Sequence, residues 1–109
     1  MKYMMFVIIE PTPGRISTKP EGADTWIAEA GGRRLVGDRL RPPPEAKVVC
    51  VRDGKTIVTD GPFTESKEAI VGFDILDCAT LAEAVEIAAR HPLATTGRLE
   101  LRAFWPFDA

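Results

Sequence analysis

The sequence predicts an α+β fold in which strands and helices follow the order β-α-β-β-β-β-α-β. Three observations carry this expectation. Six short runs show strand-like apolar patterning, two segments repeat apolar residues at helical spacing, and Asp53-Gly54 joins two β-branched runs as a hairpin turn. The chain has 109 residues, 45% apolar and 28% charged, which suits one domain with a single modest core.

The first strand runs from Tyr3 to Ile9. Tyr3, Met5, Val7 and Ile9 occupy one face and Met4, Phe6 and Ile8 the other, so both faces are apolar and the strand belongs at a sheet centre. After the loop Pro11 to Gly14, Thr18 and Glu21 have capping-box spacing and Pro20 sits in the first helical turn. Ala23, Trp26, Ile27 and Ala30 form the stripe of this helix, Glu21 to Ala30, and Gly31-Gly32 ends it. Leu35 to Leu40 is a brief strand, closed by Pro42, Pro43 and Pro44.

The hairpin comes next. Its type I′ turn at Asp53-Gly54 places Val51 opposite Thr56 and Val49 opposite Val58. Ile70 to Leu76 follows as a strand, with Val71, Phe73 and Ile75 on one face and Ile70, Gly72, Asp74 and Leu76 on the other. Thr80 and Glu83 make a second capping box that opens a helix from Leu81 to Arg90. Its stripe is Leu81, Ala84, Val85 and Ala88, with Ile87 alongside, and Pro92 stops it. The last strand lies in RLELRAF, with Leu99, Leu101 and Ala103 on one face.

This order is the split βαβ arrangement of a ferredoxin-like sandwich, with both helices on one face of the sheet. The opposite face would then expose a large apolar patch, and a two-fold partner is the simplest cover. A homodimer packed through the open sheet face is expected.

Several function classes are excluded. The net charge is -2 and the densest basic stretch, Arg33 to Arg41, is interrupted by Asp38, so no nucleic-acid footprint is present. The apolar N-terminal run stops at Glu10, short of a signal peptide or membrane span. Cys50 and Cys78 sit singly in apolar segments beside one His in the whole chain, which fits reduced core thiols in a cytoplasmic protein and predicts neither metal nor cofactor. The DGKT stretch at Asp53 to Thr56 has Val49 where a P-loop needs glycine, and the glycines of GRRLVG are followed by Asp38 rather than Lys.

The stretch VRDGKTIVTDGPFTESKE, followed by Gly72-Phe73, resembles the signature of the YCII-related proteins, in their DGPF branch. Asp60-Gly61-Pro62-Phe63 stands intact, with Thr64, Glu65, Lys67 and Glu68 after it. The resemblance extends to KYMMFV, LVGDRLRPP, LAEAVEIAARHP and LELRAFWPFD, nearly the whole chain. It implies a dimeric ferredoxin-like α/β-barrel fold and carries no assigned reaction. The wider group pairs a His of the first helix with an Asp near the end of the second. Here the first helix has no His, and His91 precedes Pro92 where that acid would stand.

The residues themselves nominate a site. His91 is the one side chain titrating near neutrality by default, and it borders a buried stripe at a helix end. Asp60 is either a turn-holding carboxylate before Gly61-Pro62 or an acid–base group. Gly61 and Pro62 are turn residues, Phe63 is a core or pocket-wall aromatic, and Gly72 marks a bulge or a close approach. One reading is a small-molecule enzyme with Asp60 and His91 as acid–base pair, Arg39 holding an anion, and Phe63 and Lys67 beside the substrate. The other is a noncatalytic ligand-binding or regulatory dimer in which the DGPF motif is structural.

Overall fold

The computed structural model of the protein describes residues 1–10, 19–61 and 68–108. Its elements, in chain order, are β1 Lys2–Ile9, α1 Ala23–Ala30, β2 Arg34–Arg39, β3 Lys47–Arg52, β4 Lys55–Asp60, β5 Ala69–Asp77, α2 Leu81–Ala89 and β6 Arg98–Ala103. Four strands form an antiparallel sheet in the order β2-β5-β1-β6, and β3 with β4 forms a separate hairpin. The order is the ferredoxin-like one expected from the sequence, with the hairpin inserted between β2 and β5.

Period-two alternation decides which residues meet the helices. Tyr3, Met5 and Val7 of β1 are buried, and opposite them on β5 stand Leu76, Asp74 and Gly72, all buried as well. Trp26 and Ala30 of α1 and Ala84, Ile87 and Ala88 of α2 complete this core, so both helices cover the same sheet face. The Trp26 indole Nε1–H donates to the Ile87 carbonyl at 2.8 Å and ties the two helices together. On the other face Met4, Phe6, Ile8, Phe73 and Ile75 are only half-buried, while Val36 and Ile70 are exposed.

Three local readings change. Val7 pairs with Gly72 but Ile8 pairs with Ile70, so Val71 is the extra residue of a bulge and turns inward, away from the Phe73 face assigned to it. The buried stripe of α2 is Ala84, Ile87 and Ala88, whereas Leu81 and Val85 are about half exposed. Ala84 and Ala88 belong to both stripes; the helix is turned so that Ile87 joins them in the core in place of Leu81 and Val85. The α1 helix starts at Ala23 after Gly22, whose φ of 88° no L-residue adopts easily, with no side-chain cap; Thr18 lies outside the described residues. At α2, by contrast, the Thr80 hydroxyl accepts from the Glu83 N–H at 3.2 Å, the N-cap half of the expected box.

The hairpin follows its turn chemistry. Asp53 and Gly54 have φ of 52° and 74°, and Val51 stands opposite Thr56 and Val49 opposite Val58.

Candidate functional site

A cavity of about 620 Å³ lies between α1, the end of α2 and the helix-facing side of β2 and β5. That volume is in the range of small-molecule sites. Its apolar wall is built from Val7, Val71, Trp26 and Ile27, and its polar groups include Arg34, Arg39, Asp74 and His91.

Asp74 is placed by strand alternation on the face that α1 and α2 cover, and it is 6% exposed. Arg34, at the start of β2, donates from Nε to Asp74 Oδ1 at 2.7 Å and from Nη2 to the Gly37 carbonyl at 2.8 Å. Gly37 stands opposite Asp74 in the ladder. A Cβ there would lie 2.1 Å from Asp74 Oδ1 and 2.8 Å from Arg34 Nη2, so the ion pair occupies the space that glycine leaves open. Burial pushes the Asp74 carboxyl above the usual carboxylate range; the Arg34 hydrogen bond and charge pull it down, and Asp38 adds to the rise. Oδ1 is committed to Arg34, and the carboxylate lines the cavity.

His91 continues the buried face of α2, three residues after Ala88 and four after Ile87. Its backbone N–H bonds the Ala88 carbonyl at 3.0 Å, and its ring meets Trp26 edge-on with centroids 4.8 Å apart. The Leu93 N–H donates to Nδ1 at 3.0 Å, which assigns the ring proton to Nε2. Burial lowers the imidazole to about 4, so at neutral pH His91 is an uncharged hydrogen-bond donor.

The other nominated residues are distributed differently. Arg39 lines the cavity, opposite Gly72 in the ladder. Gly72 is also in the lining; the three atoms nearest to a Cβ placed there all belong to the sheet, at 3.1 Å or more. Asp60 ends β4 with an exposed side chain, pairs with Lys47 across the hairpin, and is not among the cavity residues. Gly61, with φ of 80°, donates its N–H to the Ala46 carbonyl at 2.8 Å and closes the hairpin base. Pro62, Phe63 and Lys67 lie outside the described residues. The structure therefore brings His91 and Arg39 to one cavity and leaves Asp60 at the hairpin base. Arg34 and Asp74 were not nominated from sequence. One signal was legible: a lone carboxylate sharing a strand face with Leu76 in the apolar run IVGFDIL.

The YCII-related domain model matches residues 1–108. The chain belongs to the YCII-related family. It is 44% identical over 66 residues to an uncharacterised protein of Rhizobium meliloti (strain 1021), covering 59% of this chain. The match spans about half of that relative, 53% of its length. Among solved structures, 5-chloro-2-hydroxyhydroquinone dehydrochlorinase of Burkholderia phenoliruptrix AC1100, in complex with 2,5-dihydroxybenzoquinone, superposes with a TM-score of 0.56. That likeness covers 96% of this chain and 94% of the other at 11% identity, and it shows the shared fold. Among the described residues no helix of this YCII-related protein is long and apolar enough to cross a membrane, and no cluster of His, Cys, Asp and Glu suits a metal ion.

Proposed function

We propose that this protein is a small-molecule enzyme in which Asp74 takes a proton from substrate and His91 hydrogen-bonds the substrate, in the cavity under the helices. The carrying observation is the pair of environments. Asp74 is a buried carboxylate in the cavity lining with one oxygen tied to Arg34, and His91 in the same lining is a neutral imidazole whose proton is fixed on Nε2. Two titratable groups pushed in opposite directions divide acid–base labour: Asp74 Oδ2 accepts a proton from substrate, and His91 Nε2–H hydrogen-bonds the oxygen where charge develops. The dehydrochlorinase on the same fold supports small-molecule chemistry in such a scaffold, as an analogy of architecture.

In this reading Asp60 takes its turn role, holding the hairpin base with Lys47, and the DGPF stretch marks the branch. Homodimerisation through the open sheet face accompanies the proposal. Met4, Phe6, Ile8, Phe73 and Ile75 are too apolar to face water as one patch, and a two-fold copy covers them. Two free cysteines suit a cytoplasmic setting.

The test is deuterium wash-in at enolisable C–H positions of a panel of small oxo-acids and cyclic enones, followed by NMR. At least one compound should exchange with wild type, and Asp74→Asn should slow that exchange by about 100-fold or more. Exchange that survives both Asp74→Asn and His91→Asn contradicts the assignment.

A further inference from the structure

We infer that the cavity takes a small organic oxyanion, a carboxylate, enolate or phenolate of ring size, and that Arg34 is its anchor. This deepens the acid–base reading and rests on it for the identity of the site, but it makes a separate claim about what binds there.

The first support is the donor count. A guanidinium carries five N–H groups, and Arg34 uses one on Nε for Asp74 and one on Nη2 for the Gly37 carbonyl. Three have no acceptor among the described residues, on a side chain that is 19% exposed and lines the cavity. Those two bonds hold the guanidinium plane in place, so an arriving anion meets a prearranged donor edge. The second support is the seat: with no Cβ at Gly37, the guanidinium and the Asp74 carboxylate lie directly on the β2–β5 backbone. A third is complementarity with the proposed chemistry. An oxyanion on Arg34 lies beside Asp74, because the same guanidinium bonds both, so an acidic proton near that oxyanion falls within reach of the carboxylate. The apolar wall of Val7, Val71 and Trp26 suits the carbon skeleton. Arg39, nominated from sequence for anion binding, lines the same cavity with Lys19, alongside the carboxylates Glu10, Glu21 and Asp38.

The experiment uses benzoate as the probe and Trp26 fluorescence as the reporter. It is done in a Trp105→Phe background, since Trp105 is 89% exposed and would dilute the signal. Benzoate should shift Trp26 emission saturably, and benzamide, its uncharged isostere, should bind at least about tenfold more weakly. Arg34→Gln should weaken benzoate by about tenfold or more, with Arg34→Lys in between. Because Arg34→Gln removes the partner of Asp74, the double variant Arg34→Gln/Asp74→Asn is titrated beside it; it leaves no buried charge and should be equally weak. Equal binding of benzoate and benzamide, or benzoate binding unchanged by Arg34→Gln in both backgrounds, overturns the anchor.

The two proposals separate in Asp74→Asn, which keeps an oxygen for Arg34. Retained benzoate binding with lost wash-in supports both. Retained binding with undiminished wash-in supports the anchor and overturns the acid–base reading. Wash-in that depends on Asp74 in a protein that fails to bind benzoate overturns the anchor alone.

Discussion

The β3–β4 hairpin and the sheet under the helices are held together by opposite means. The hairpin is local: its turn is written in two adjacent residues, Asp53 and Gly54, its pairs join residues at most 13 positions apart, and all six residues of β4 are exposed. The cavity is non-local, since Arg34 reaches Asp74 across 40 residues and Trp26 reaches Ile87 across 61. Charged and motif residues follow the hairpin in the sequence, yet the buried Asp74 and His91, with shifted protonation, line the cavity. Conspicuous sequence marks a turn here, whereas chemistry needs burial, which only the assembled sheet supplies.

The sharpest way to break this contrast is to place a methyl group on one glycine of each region. Gly37→Ala puts a Cβ 2.1 Å from Asp74 Oδ1 and 2.7 Å from the Phe73 carbonyl, so the ion pair must separate or the strands must part. A loss of about 3 kcal/mol in urea unfolding is expected, together with loss of benzoate binding. Gly54→Ala has open space around it, and only its φ of 74° is strained, so about 1 kcal/mol and unchanged benzoate binding are expected.

The pH dependence of stability sharpens the comparison next. His91 takes a proton at its ordinary 6.5 in the unfolded chain but only near 4 in the folded one. The unfolded state therefore binds more protons in that window, and stability falls as pH drops from 6.5 to 4, by about 2 kcal/mol. Asp74, whose carboxyl is raised, acts with the opposite sign as the pH falls, so the measurement is the difference between wild type and His91→Asn. Wild type should lose stability relative to the variant across this window; parallel curves would show that the imidazole is not buried.

The smallest effect is expected at the hairpin base. Asp60 and Lys47 are both well exposed, so Asp60→Asn should change stability by no more than about 0.5 kcal/mol. A loss of several kcal/mol, or of dimerisation, would show that the turn carries more of the structure than its exposure indicates.

What was legible in the sequence follows the same division. The hairpin register followed from Asp53-Gly54, and the start of α2 from Thr80 and Glu83, because each is decided within a few residues. The inward face of α2 was not. The spacing of Leu81, Ala84, Val85 and Ala88 fits a helix stripe as well as Ala84, Ile87, Ala88 and His91; the two share their alanines, and only the assembled core, which buries Ile87 and His91, selects the second. Val71 was placed on the wrong face because a bulge adds one residue, and alternation read along the chain does not register it. His91 was found as the lone histidine, whereas Asp74 stayed hidden because its significance depends on Arg34 and on the helices above.

The most direct test sets Asp74→Asn beside Asp60→Asn in the deuterium wash-in assay, on a compound that wild type exchanges. If the cavity under the helices carries the chemistry, Asp74→Asn loses about 100-fold or more while Asp60→Asn stays within about twofold of wild type. The reverse pattern, with exchange lost in Asp60→Asn and kept in Asp74→Asn, would move the active site to the hairpin.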